Sequence, residues 1–227
     1  MTAEYEGRRI EQLPEAYGEL IEHLYRIGAV KIDTVHGFRV KMHEQHPHAP
    51  RPFIYYDLRL IQGDVPSRRP ATQVYEDLLS HISYDFIAGI PVGATPLAAF
   101  AAQAAEKPML TPRIGKKDGQ IDGMQPSDVG KIAVLLDEVA NDGESKPPVA
   151  EVCRKAGLIV TDAVVLIDRE QGAPERLRRA GLTLHAAFTH TTLMDHYVQE
   201  GKVTQGDRRM VDARNREIDY YLGRVPR

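Results

Sequence analysis

Cysteine is nearly absent: Cys153 stands alone in 227 residues. That excludes an internal disulfide and makes a reducing compartment the expected setting. An excess of one charge sign is lacking too, since 29 Lys+Arg against 32 Asp+Glu leave a formal net charge of −3. With no global basic field to collect nucleic acid or an anionic membrane, any phosphate recognition has to be local. Long apolar runs are missing as well. The least polar stretch, Phe86 to Glu106, is alanine-rich and broken by Gly89, Pro91, Gly93 and Pro96, which argues against a membrane span. The first residues, Met1-Thr2-Ala3-Glu4-Tyr5-Glu6, show neither a basic nor an apolar signal region, so no signal peptide is expected and a cytoplasmic location is. No internal repeat or low-complexity tract is visible.

What is present describes an ordinary globular chain, with 42% hydrophobic and 27% charged residues. Its length suits one α/β domain with additions. Leu13, Tyr17, Leu20, Ile21 and Leu24 recur at spacings of three and four, the mark of an amphipathic helix, and Gly28 closes it. Ala29 to Ile32 and Gly37 to Lys41 alternate as a small hairpin would. His43 to Pro52 reads as a loop, Phe53 to Leu58 as a further strand and Ala71 to Ile82 as a second helix. Short apolar runs at 85–89, 131–136, 162–167 and 182–187 then alternate with helical stretches, predicting a mostly parallel sheet flanked by helices. In such sheets ligands lie beyond the carboxyl ends of the strands. From about Met194 the chain turns polar and is expected to be helical. The division expected is therefore an N-terminal helix and hood over 1–60, an α/β core over 61–193 and a helical tail over 194–227.

The most informative segment runs from Lys131 to Ser145, KIAVLLDEVANDGES. An apolar strand ending in adjacent carboxylates, then a glycine turn and a helix, suits a ribose phosphate. Carboxylates hold ribose hydroxyls, and turn amides cradle phosphate at a helix N-terminus. Alone, the segment also reads as a strand-to-helix turn with an acidic cap. The basic run Arg113, Lys116, Lys117 reads likewise as a cationic loop or a solvated turn. His43, His46 and His48 read as a solvent loop rather than a metal site, since no further ligand accompanies them.

Taken together and in order, these segments resemble the type I phosphoribosyltransferases, and among them the orotate-using family. Gly28 to Lys31 with Gly37 to Lys41 resembles the family's hood, and Tyr55-Tyr56-Asp57-Leu58-Arg59 its Tyr-x-Asp-x-Arg strand. Asp85 to Ala98 resembles the diphosphate loop with its strand and helix, and Ala163 to Gly172 the Val-Asp-Arg-x-x-Gly segment. The resemblance implies a five-stranded parallel core with a hood. It also implies Mg²⁺-dependent transfer of a 5-phosphoribosyl group from phosphoribosyl diphosphate (PRPP) to a pyrimidine base such as orotate. A homodimer would follow, in which a basic loop completes the neighbour's site. Mg²⁺ would arrive mainly with the diphosphate, so no protein ligand is expected.

The same resemblance assigns roles. Asp137 and Glu138 would hold the ribose near the reacting carbon, and Arg113 and Lys117 would stabilise the departing diphosphate. Pro91, Val92 and Gly93 would form the diphosphate loop. Asn141, Asp142, Gly143, Glu144 and Ser145 would form the 5′-phosphate turn. Arg169 would read the base's carboxylate through its planar guanidinium, with Lys41, Tyr55 and Tyr56 beside the base. Three features depart from the pattern. Ile114 replaces a basic residue, the loop histidine has no counterpart between Asp118 and Gly119, and Asp142 and Glu144 stand where hydroxyls are usual. A unit-charge pair at about 4 Å and an effective dielectric near 20 costs about 4 kcal/mol. The departures keep two other readings open: a same-fold enzyme with an altered ribosyl donor or heterocycle, and a non-catalytic homologue.

Overall fold

The computed structural model describes residues 14–115 and 120–223. Helix α1 (Glu15–Arg26) buries Tyr17, Leu20, Ile21 and Leu24 on one face, and each such side chain contributes about 1.5–3 kcal/mol on burial. Gly28, with φ 67°, makes the turn into β1 (Val30–Ile32). The partner of β1 is not the 37–41 segment expected from its alternation. It is β2 (Ile54–Tyr56), antiparallel, with Val30 opposite Tyr56 and Ile32 opposite Ile54. The intervening residues are tied locally instead: Asp33 Oδ1 accepts from the amides of Val35 and His36, and Phe38 N–H donates to Pro52 O. The predicted loop at 43–52 contains a short helix, α2 (Met42–Gln45). There His43 is buried and shares its Nδ1 with Val40, so it is not a solvent-loop histidine.

After a 3₁₀ turn (Leu58–Gln62), α3 (Val65–Ser80) begins where Asp64 accepts the Ser67 amide, a side-chain N-cap. The sheet behind it has the order β5-β4-β3-β6-β7-β8. Its strands are β3 (Phe86–Gly89), β4 (Met109–Pro112), β5 (Ile121–Asp122), β6 (Ala133–Ala140), β7 (Asp162–Asp168) and β8 (Thr183–Thr189). All neighbours pair in parallel except the short edge strand β5, so the parallel core has the implied five strands. Strands β3 and β7 are apolar along nearly their whole length because helices cover both faces of a parallel sheet. The crossover helices are α4 (Thr95–Ala104), α5 (Lys146–Lys155) and α6 (Ala173–Arg179).

The order has a functional consequence. From β3 the chain moves to β4 on one side and then to β6 on the other, so the segments following β3 and β6 diverge and leave a crevice between them. The terminal helices are α7 (His190–Gln199), which starts earlier than the expected tail, and α8 (Gln205–Tyr221). α8 returns to the hood: Arg214 donates to Arg51 O and lies over the Phe53 ring, 3.9 Å from its centroid. Among the described residues, no helix is long and apolar enough to cross a membrane.

Candidate active site

Strand β6 continues past the point where the sequence suggested it would stop. Asp137 and Glu138 lie inside it, with Asp137 paired to Val165 of β7. Consecutive strand residues point to opposite faces, so the two carboxylates part company. Glu138 turns toward the loop after β3: a Cβ built on Gly93 would lie 2.7 Å from its Oε1. That oxygen is buried without a hydrogen-bond partner among the described residues. Burial first, and the neighbouring Asp137 second, push the Glu138 carboxyl up to about 7. The Gly93 carbonyl is held by Gln62 at 2.9 Å, Val92 projects outward at 85% exposure, and the Pro91–Val92 peptide is cis.

Asp137 is occupied internally. Its Oδ1 accepts the Glu138 amide at 2.9 Å, while Oδ2 accepts from Lys146 Nζ and, at 3.4 Å, from Ser145 Oγ. Lys146 is 1% exposed and donates also to Val139 O and Ser145 Oγ, so its three protons all have acceptors.

The turn from Asn141 to Ser145 closes on itself. Gly143 has φ 82° and lies against Ala173 and Leu177 of α6. Asp142 Oδ1 accepts the Glu144 amide at 3.2 Å, and Glu144 reaches Arg176 at 3.0 Å, out in solvent. Glu144 is thus directed away from the turn, whereas Asp142 occupies one of the amides a phosphate would use.

Arg169, at the end of β7, donates to Asn141 Oδ1 at 3.1 Å and lies over the Tyr56 ring. Tyr55 points the other way, packing on Phe38, with its hydroxyl 3.4 Å from Arg59 Nη2. Asp57 links Arg59 Nε at 3.0 Å with Lys31 at 4.0 Å, and the Arg59 charge lowers the proton affinity of Glu138. Arg113 is exposed and paired with Asp122 across the β4–β5 hairpin at 2.6 Å. Lys117 lies outside the described residues, and Lys41 is exposed at the start of α2.

The crevice therefore gathers Glu138, the Pro91–Gly93 loop, the 141–145 turn, Arg169 and Tyr56. Lys41 and Arg113 stand away from these bonds. The sequence reading missed Lys146, whose only signal is a lysine at the first position of a helix, and Gln62, which carries none. Asp57 and Arg59 were visible in the Tyr-x-Asp-x-Arg pattern but received no role.

Curated relatives match the chain over most of its length. The orotate phosphoribosyltransferase of Sulfolobus acidocaldarius is 32% identical over 160 residues, 69% of this chain and 80% of that protein. This chain belongs to the orotate phosphoribosyltransferase family. Uridine 5′-monophosphate synthase of Bos taurus is 34% identical over 193 residues, 82% of this chain but 38% of that protein. Among solved structures, UMP synthase of Leishmania donovani superposes with a TM-score of 0.76 at 27% identity, over 93% of this chain and 43% of that one. The chain thus spans about two fifths of these synthases. Orotate phosphoribosyltransferase of Aeropyrum pernix superposes at 0.65 and 29% identity, over 78% and 98% of the two chains. No family model matches.

Proposed function

We propose that this chain transfers a 5-phosphoribosyl group from PRPP to orotate. One observation carries the reading: Glu138 lies against Gly93 while Arg169 is bonded to the phosphate turn, so ribose, diphosphate and base positions share one crevice. In the reaction the bond from ribose C1 to diphosphate oxygen breaks, and its electron pair leaves with diphosphate. The base nitrogen bonds to C1 and gives up its proton to water. Glu138 faces the ribose as positive charge develops there, and Arg169 holds the base carboxylate. Mg²⁺ arrives in this reading with the diphosphate, whose oxygens, with water, it prefers to an all-protein cage. When bound, that ion supplies positive charge to the diphosphate.

Arg113 and Lys117 act on the diphosphate in this reading, and Lys41, Tyr55 and Tyr56 border the base. A homodimer lets the basic loop serve a neighbour's site, in the cytoplasm. The proposed parts remain a helix and hood over 1–60, a core over 61–193 and a tail over 194–227.

Loss of orotate absorbance with PRPP and Mg²⁺ tests the activity. Arg169→Ala should raise KM for orotate by about ten- to a hundredfold, the equivalent of ~1.5–3 kcal/mol for a hydrogen bond to a charged group. Unchanged kinetics remove Arg169 from the base site.

A second reading, a ribosyl donor without a 5′-phosphate, is favoured by the Asp142 carboxylate on the Glu144 amide. It predicts that Asp142→Ser creates or tightens PRPP binding by tenfold or more, as removing a like charge near about 4 Å allows. Calorimetric titration decides: tight binding by the parent, unchanged in the variant, eliminates this reading.

A further inference from the structure

The guanidinium of Arg169 is steadied from beyond its own strand. Its Cζ lies 5.4 Å from the centroid of the Tyr56 ring, and a cation on a ring is only as fixed as the ring beneath it. The Tyr56 hydroxyl lies 2.6 Å from Nδ1 of His190, the first residue of α7. His190 is buried, at 6% exposure. Its other nitrogen, Nε2, lies 3.3 Å from Asp212 Oδ1 on α8. Asn215 Nδ2 lies 3.5 Å from the same nitrogen, and the charged Asp212 carboxylate is the stronger partner.

The chemistry of these groups sets the direction of each bond. A carboxylate only accepts, so Asp212 selects the tautomer with hydrogen on Nε2. Nδ1 is then an acceptor, and the Tyr56 hydroxyl donates to it. Burial lowers the His190 pKa and favours this neutral ring, while Asp212 acts in the opposite sense. Asp212 is itself fixed by Arg208, whose Nε lies 3.4 Å from Oδ2 and whose Nη1 pairs with Asp195. The same helix grips the hood strand a second time, through Arg214 on Phe53 and on the Arg51 carbonyl. Helix α8 thus bears on this strand twice, through His190 at Tyr56 and through Arg51 and Phe53 just before it.

We propose that His190 and Asp212 are positioning residues for Arg169, fixing the Tyr56 ring beneath its guanidinium and making the C-terminal helix part of acceptor selection. This rests on the reading of Arg169 as the group that binds the base. The effect falls chiefly on the acceptor, because Arg169 is the group that meets the base; its bond to Asn141 Oδ1 touches the phosphate turn, while Glu138 and the diphosphate loop stand outside this series of contacts.

The test is steady-state kinetics with orotate and PRPP. His190→Phe keeps an aromatic ring but loses both nitrogens, and should raise KM for orotate about tenfold with KM for PRPP changed less than about twofold. His190→Asn places an amide oxygen where Nδ1 stood and should recover orotate KM to within about threefold of the parent. Tyr56→Phe combined with His190→Phe should be no worse than Tyr56→Phe alone, the non-additivity of residues acting through one bond. Unchanged orotate KM, equal rises in both KM values, or multiplied effects in the double variant would overturn the proposal. Should the parent not turn over orotate, the functional reading fails by itself. The positioning is then read without substrate, from the Arg169 Nε–H resonance that the Tyr56 ring shifts upfield. That resonance should move toward its unstructured position in His190→Phe and return in His190→Asn, and an unmoved resonance overturns the proposal.

Discussion

Lys146→Met should lower the melting temperature by roughly 6 to 12 °C. Removing one member of a buried ion pair costs about 3–5 kcal/mol, and for a chain of this length each kcal/mol shifts the midpoint by ~2–4 °C. The lower end applies because the Asp137 side chain keeps 15% exposure beside a lysine of 1%. The physical cause is the position of Lys146 at the start of α5, where the helix dipole disfavours a cation. Its ammonium is tolerated there because it folds back onto Asp137, Val139 O and Ser145 Oγ. Methionine has nearly the same shape but leaves Asp137 without its cation. Pairing Lys146→Met with Asp137→Asn removes both charges and should recover most of the loss, as replacement of a whole buried pair commonly does. A single variant melting within about 2 °C of the parent, measured by circular dichroism, would show that the pair contributes little.

The Lys146 pair also marks the limit of what the residues alone disclosed. The parallel core was legible because buried strands such as Val164-Val165-Leu166-Ile167 have to be apolar throughout. The placing of ligands beyond the carboxyl ends of the strands followed from that architecture, whereas the strand order that opens the crevice and the positive φ of Gly143 came only with the structure. The hood was misread because Gly37 to Lys41 alternates as a strand does, yet its amides and carbonyls are engaged by neighbouring turns and by Pro52. Strand β6 was ended too early because two carboxylates look like a strand terminus. Nothing local reveals that a lysine nine positions on neutralises one of them. The tail carried even less signal: its polar composition predicted helices, but the bond from His190 to Tyr56 spans 134 positions. Long-range polar contacts of that kind have no periodicity to announce them.

Glu138 should give kcat/KM an acid limb with an apparent pKa near 7. Its carboxyl is pushed up to about 7 by burial and then by Asp137; Asp57 acts in the same sense, while Arg59 and Lys146 oppose it. The ionised form is the one that supports developing positive charge on the ribose, so kcat/KM should rise with pH through this value and level off above it. Glu138→Gln should abolish the limb and lower kcat/KM about a hundredfold, equivalent to ~2.7 kcal/mol of transition-state stabilisation. Stability should change in the opposite sense. Between pH 4.5, the ordinary carboxyl value, and about 7, the folded protein keeps the Glu138 proton while the unfolded chain releases it. The contribution of this group therefore declines as pH rises across that window and is constant above it. Glu138→Gln carries no such penalty. It should melt close to the parent at pH 4.5 and be more stable by roughly 1–2 kcal/mol at pH 8, allowing for solvent screening of a partly exposed group. Paired activity profiles and melts at both pH values check the two halves together. A glutamine variant that keeps the acid limb would assign the titration to another group, and one that is less stable at pH 8 would show that the carboxylate is favourably held rather than strained.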